Sequence, residues 1–150
     1  MNKRPGSKHV CGDLIRTWRE RPADLDFEIR FYERLLADCP DFIDALIPLG
    51  DAYTKRGRHE RGLAIDQRLT QLRPDDPVIG YNFACSLSLL KRVPEAVKNL
   101  ARAIALGYDE FDWILRDPDL ANVRRAPEFQ AFLAKVRPPK RARHSSPRQP

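Results

Sequence analysis

Residues 41–57 read DFIDALIPLGDAYTKRG, and residues 75–91 read DDPVIGYNFACSLSLLK. Laid over each other at an offset of 34, Leu46 falls on Gly80, Leu49 on Phe83, Gly50 on Ala84 and Tyr53 on Leu87. In the first stretch Leu46, Leu49, Gly50 and Tyr53 stand at i, i+3, i+4 and i+7, the spacing of one helical face. Asp41 is expected to cap that helix, and Gly57 to end it in the left-handed conformation that costs glycine least.

The same offset extends outward. It places Ile29, Leu63 and Val97 together, then Leu35, Leu69 and Ala103, Pro40 and Pro74, Gly62 and Ala96, and Leu72 and Leu106. A shared helical period would match apolar residues by chance. It does not explain small residues falling on small ones and proline on proline, which a repeated unit does. Each unit reads as two helices, the second carrying Leu63, Ile65, Leu69 and Leu72 and closing at Pro74. In the next unit Pro77 lies near the start and Pro94 in the first turn of the second helix, where a missing N–H costs little. Small residues let paired helices approach. No stretch alternates as a strand does, so the expected fold class is all-α, an array of antiparallel helix hairpins.

On these residues the sequence resembles the tetratricopeptide repeat: Leu46, Leu49-Gly50, Tyr53, Gly57, Leu69 and Pro74, then Phe83-Ala84, Leu87, Ala96, Ala103 and Leu106. The resemblance covers roughly residues 25–110 and implies a right-handed α-solenoid. It departs where Leu46 and Gly80 fill a slot usually held by Trp, where Asp66 occupies an apolar slot, and where Tyr108 replaces a closing Pro. The expected division is a basic N-terminus (1–10), a helical domain (11–136) and a basic Pro/Arg-rich tail (137–150), with both ends disordered. Within the domain stand a degenerate unit at about 11–40, units at about 43–76 and 77–110, and a cap at 111–136. Leu14, Ile15 and Trp18 are expected to supply a helix of the first unit; Phe129, Phe132, Leu133 and Val136 form the apolar face of the capping helix.

Charge separates the ends from the array. The chain of 150 residues carries 27 Lys and Arg against 21 Asp and Glu, net +6, which taken alone suggests a phosphate-bearing partner. Eight of those cations lie in residues 1–8 and 137–150 with no acid among them, so residues 9–136 are net −2. The basicity therefore belongs to the ends. Cys11, Cys39 and Cys85 are too few and too scattered for a disulfide framework or a zinc site, which fits a reducing compartment. No apolar run is long enough for a membrane helix or follows the N-terminus as in a secretory leader. A cytoplasmic protein is expected.

Catalytic signals are missing. His9, His59 and His144 have no partner at metal-ligand spacing, Cys85 falls within a helix without a neighbouring base, and no glycine-rich loop could cradle phosphate. Neither cofactor nor metal is expected. The resemblance implies that first helices line a concave face. There the candidates are Asp44, Ile47, Asp51, Thr54, Val78, Tyr81, Asn82, Cys85 and Ser88, with Arg116 further on. One reading is a peptide groove with Tyr81 as anchor and Asn82 bonding the peptide backbone; the other is that adjacent helices simply pack through these residues. A clamp for a peptide's terminal carboxylate does not fit, because Ile47, Asp51 and Asp112 stand where that clamp needs Lys or Asn. The function expected is a non-catalytic adaptor binding a protein or peptide. The alternative is nucleic acid or another anionic surface bound through the termini, with Lys140, Arg141 and Arg143 foremost. Self-association through the open end of a short array is a further alternative.

Overall fold

The computed structural model describes residues 24–136. The expected helix around Leu14, Ile15 and Trp18 and both basic termini lie outside them. All regular structure among the described residues is helical: α1 (Leu25–Asp38), α2 (Ile43–Lys55), α3 (His59–Leu72), α4 (Pro77–Leu89), α5 (Val93–Ala105), α6 (Phe111–Ile114), a 3-10 turn (Pro118–Leu120), α7 (Ala121–Arg124) and α8 (Pro127–Val136). Helices α2 and α3 pair as one hairpin and α4 and α5 as the next, with α1 packed on α2 and α3 on α4.

The helices keep the period found in the sequence. First helices begin at Ile43, Pro77 and Phe111, and second helices at Leu25, His59, Val93 and Pro127, each 34 residues after the one before. Residues 111–136 thus stay in register with the array. Their first-helix portion does not run through, because Asp117 precedes Pro118 and a residue before proline is pushed out of the helical region. Pro118 opens the 3-10 turn that runs into α7, and Pro127 opens α8, each at a first helical position where a missing N–H costs little.

Burial follows the predicted stripes. Leu46, Leu49, Gly50 and Tyr53 on α2, and Ala84 and Leu87 on α4, are buried. Ile114, Leu120, Val123, Phe129 and Leu133 join Ala84, Leu87, Ala96, Leu100 and Ala103 in one core, so α8 covers the end of the second hairpin. Glycine is required by contact at two positions: a Cβ on Gly50 would lie 3.2 Å from Ile65 Cγ2, and one on Gly62 only 2.9 Å from Thr54 Oγ1.

The turn after α2 is closed by Gly57 N–H to Thr54 C=O and Arg58 N–H to Tyr53 C=O, with Gly57 at φ +75°. This is the Schellman arrangement. Thirty-four residues later Lys91 and Arg92 make the equivalent bonds to Ser88 and Leu87, with Lys91 itself left-handed at φ 60°. One expected cap fails. Phe42, not Asp41, is the N-cap of α2, and Asp41 instead accepts from Arg68 Nη2 at 2.6 Å. The pair recurs one period on, where Arg102 Nη2 reaches Asp75 at 3.6 Å and the Pro74 carbonyl at 2.9 Å. Asp76 caps α4 by accepting from the Val78 and Ile79 N–H groups. Cys39 is disulfide-bonded and Cys85 is free and buried, which departs from the expectation of reduced thiols throughout.

Candidate functional site

A cleft of about 980 Å³ opens between the inner face of α2, the flank of α4 and the segment running from α6 into the 3-10 turn. Helix α2 contributes Asp44, Ile47, Asp51 and Thr54 at i, i+3, i+7 and i+10, which a helix brings to one side. Ile47 is 42% exposed there although isoleucine is a core residue by preference. Pro48 also lines the cleft, inside α2, and has no N–H to offer the Asp44 carbonyl one turn back.

The equivalent positions on α4 behave differently. Tyr81, an anchor in one of the two readings and a packing residue in the other, is 4% exposed; its ring stacks on Tyr108 at 4.1 Å between centroids and its hydroxyl donates to Asp117 Oδ2. Cys85 Sγ also reaches Asp117 Oδ2, at 3.7 Å, and the other Asp117 oxygen accepts from the Asp119 N–H at 2.9 Å. Burial first, then the charge of Asp117, pushes the Cys85 thiol well above its usual value, which disfavours the thiolate. Burial likewise raises the Tyr81 phenol. Ser88 is fully buried and its carbonyl accepts from Asn122 Nδ2 at 2.8 Å. The third unit's 3-10 turn sits against α4, and this is the physical reason that its inner face is covered where that of α2 is open. Packing thus accounts for Tyr81, Cys85 and Ser88, although the edges of Tyr81 and Cys85, with Asn82, still form cleft wall. Val78 is 54% exposed but does not line the cleft, nor does Arg116, whose Nε donates to the Asp112 carbonyl at 3.0 Å.

Several cleft residues were not among the expected set. Trp113 is 46% exposed and is, with Ile47, another apolar side chain on the lining. Its repeat equivalents, Ile79 and Ala45, are buried, so the period signals a core residue and only the broken first helix of the third unit turns it outward. Asp66, noted for its apolar slot, is buried in the cleft floor and accepts from Ser86 Oγ at 2.5 Å across the α3–α4 junction. Desolvation pushes its carboxyl up to about 6 against the opposing effect of the Ser86 bond. Asp119 is also raised, by burial and then by Asp117. The lining thus carries Asp44, Asp51, Asp66, Asp117 and Asp119, and no Lys, Arg or His. No group of His, Cys, Asp or Glu among the described residues could hold a metal ion.

A concave cleft on stacked helical hairpins with a strict 34-residue period defines an all-α solenoid of the tetratricopeptide-like class. Sequence similarity points the same way. The chain is 37% identical over 86 residues to Tetratricopeptide repeat protein 13 from Homo sapiens, covering 54% of this chain and 10% of that protein. It is 31% identical over 87 residues to a chloroplastic protein from Arabidopsis thaliana, covering 56% of this chain and 26% of that protein. No family model matches the chain. The chain therefore spans only a tenth and about a quarter of the lengths of these two relatives, and a chloroplast protein among them leaves the compartment open. No helix among the described residues is long and apolar enough to cross a membrane.

Proposed function

We propose that the chain is a non-catalytic adaptor whose array binds a protein segment in the cleft between α2 and the α6–turn segment. The observation that supports this most is the pair Ile47 and Trp113, both more than two-fifths exposed, on the lining of one concavity. Large apolar side chains held open on a concave wall are what a docked segment covers. Asn82, also on the lining, is suited to bonding the backbone of an extended ligand. The similarity to a protein named for the tetratricopeptide repeat supports an interaction role. Residues 111–136 act in this reading as the cap of the array, and α8 covers its apolar core. The carboxylates of the cleft oppose a polyanion, so the nucleic-acid reading draws no support from the described residues.

The test is partner capture by the full chain against Ile47→Ser and Trp113→Ser variants, with circular dichroism to show that both still fold. Both sites are exposed, so folding is expected to survive. Partners retained by the wild type and lost by both variants support the cleft; equal capture by all three refutes it.

A further inference from the structure

We infer that the cleft selects a cationic segment, one in which Lys or Arg alternates with apolar residues. The inference rests on the reading of the cleft as a docking site and adds the chemistry of the occupant. Five carboxylates line the concavity, of which Asp44, Asp51 and Asp119 are not buried, and no Lys or Arg side chain lines it with them. This is not the bias of the molecule at large, because residues 24–136 hold 16 Lys and Arg against 19 Asp and Glu. The cations are committed elsewhere. Arg56 pairs with Asp26, Arg61 with Glu33, Arg68 with Asp41 and Arg102 with Asp75, each bridging one unit to the next away from the cleft. Lys55 pairs with the lining residue Asp51 at 2.6 Å, and both side chains are 60% exposed, so a ligand can displace it at little cost.

Donors are scarce where acceptors collect. Asp44 and Asp51 stand about two helical turns apart on either side of Ile47, and Asp119 lies on the same lining within electrostatic reach of Asp51. An extended segment laid along α2 would meet an apolar contact flanked by carboxylates. Charge complementarity of this kind sets partner choice and speeds encounter more than it deepens affinity. A carboxylate-rich ligand would face repulsion from both walls.

The experiment is fluorescence anisotropy with the full chain and two short labelled peptides, one alternating arginine with leucine and its counterpart with glutamate for each arginine. The arginine peptide is expected to bind at least about tenfold more tightly, with affinity falling as salt rises. Asp44→Asn with Asp51→Asn should shrink that preference to about threefold or less, and Asp44→Lys with Asp51→Lys should turn it toward the glutamate peptide. Both positions are exposed, and a reversed preference cannot come from unfolding. Equal binding of both peptides, lost on Ile47→Ser and Trp113→Ser, would overturn charge selection while leaving the docking site intact. Arginine-peptide binding untouched by all of these substitutions would overturn both. Failure of the arginine peptide to bind would overturn the cationic assignment. Neutralising Lys140, Arg141, Arg143 and Arg148 to Gln should leave the affinity unchanged; a gain of about tenfold would assign the cleft to the chain's own C-terminal stretch instead.

Discussion

Replacing Asp66 by Asn should stabilise the fold, and by more at neutral pH than in mild acid. The carboxyl is buried in the cleft floor with Ser86 Oγ at 2.5 Å, and burial raises it from 3.8 to about 6. The unfolded chain ionises Asp66 near 3.8, while the fold holds the proton until about 6. Between those values the native state binds more protons, so stability falls as pH rises through the window and is flat above it. A carboxyl raised from 3.8 to about 6 corresponds to about 3 kcal/mol lost in full above the window. Asparagine keeps a carbonyl oxygen for the Ser86 hydroxyl and carries no charge, so it should recover most of that. Urea unfolding of both proteins should give the Asp66→Asn variant an advantage of about 2 kcal/mol at about pH 5, growing to about 3 kcal/mol at about pH 7. An advantage that does not change between those pH values, or a variant less stable than wild type at pH 7, would refute the reasoning. The first outcome would mean that Asp66 is not the titrating group; the second, that its charge is better satisfied than its burial implies.

Other consequences concern packing and backbone. Lys91 holds φ 60° at the turn position that Gly57 fills one period earlier, so Lys91→Gly should raise stability by up to about 1 kcal/mol in thermal melts. Asp117 accepts from Tyr81, Cys85 and the Asp119 N–H, and Asp117→Ala should cost about 2–4 kcal/mol by stranding them, measured by urea unfolding. Gly80→Ala places its Cβ at 3.4 Å from that of Ala103, ordinary contact, and should be neutral or stabilising by up to about 1 kcal/mol. Gly62→Ala meets Thr54 Oγ1 at 2.9 Å and should destabilise by about 1–2 kcal/mol in the same assay.

The array was legible because burial and turn chemistry repeat with the sequence. Gly57 sits in the left-handed turn predicted for it, and Leu46, Leu49, Gly50 and Tyr53 are buried as their spacing requires. The inner face was legible only for α2. On α4 the same register is overridden by the third unit, where Pro118 breaks the first helix and sends Asp117 across to Tyr81. A period cannot announce its own interruption's consequences, and Trp113 shows this most plainly, since its equivalents Ile79 and Ala45 belong to the core. Asp66 was visible as an odd residue in an apolar slot, but its partner Ser86 lies on the next hairpin and only the fold joins them. Asp41 was read as a local cap for the same reason: its partner Arg68 is distant in sequence and brought near by hairpin stacking.

The central claim is that a cationic, partly apolar segment docks between α2 and Trp113. Titrating the arginine–leucine peptide into isotope-labelled full-length protein and following two-dimensional amide spectra tests it directly. Saturable shifts should concentrate at Ile47, Asp51, Asn82 and the Trp113 indole N–H. Shifts confined to the face that carries Arg61, Arg68 and Arg102, with those cleft signals unmoved at saturation, would contradict it.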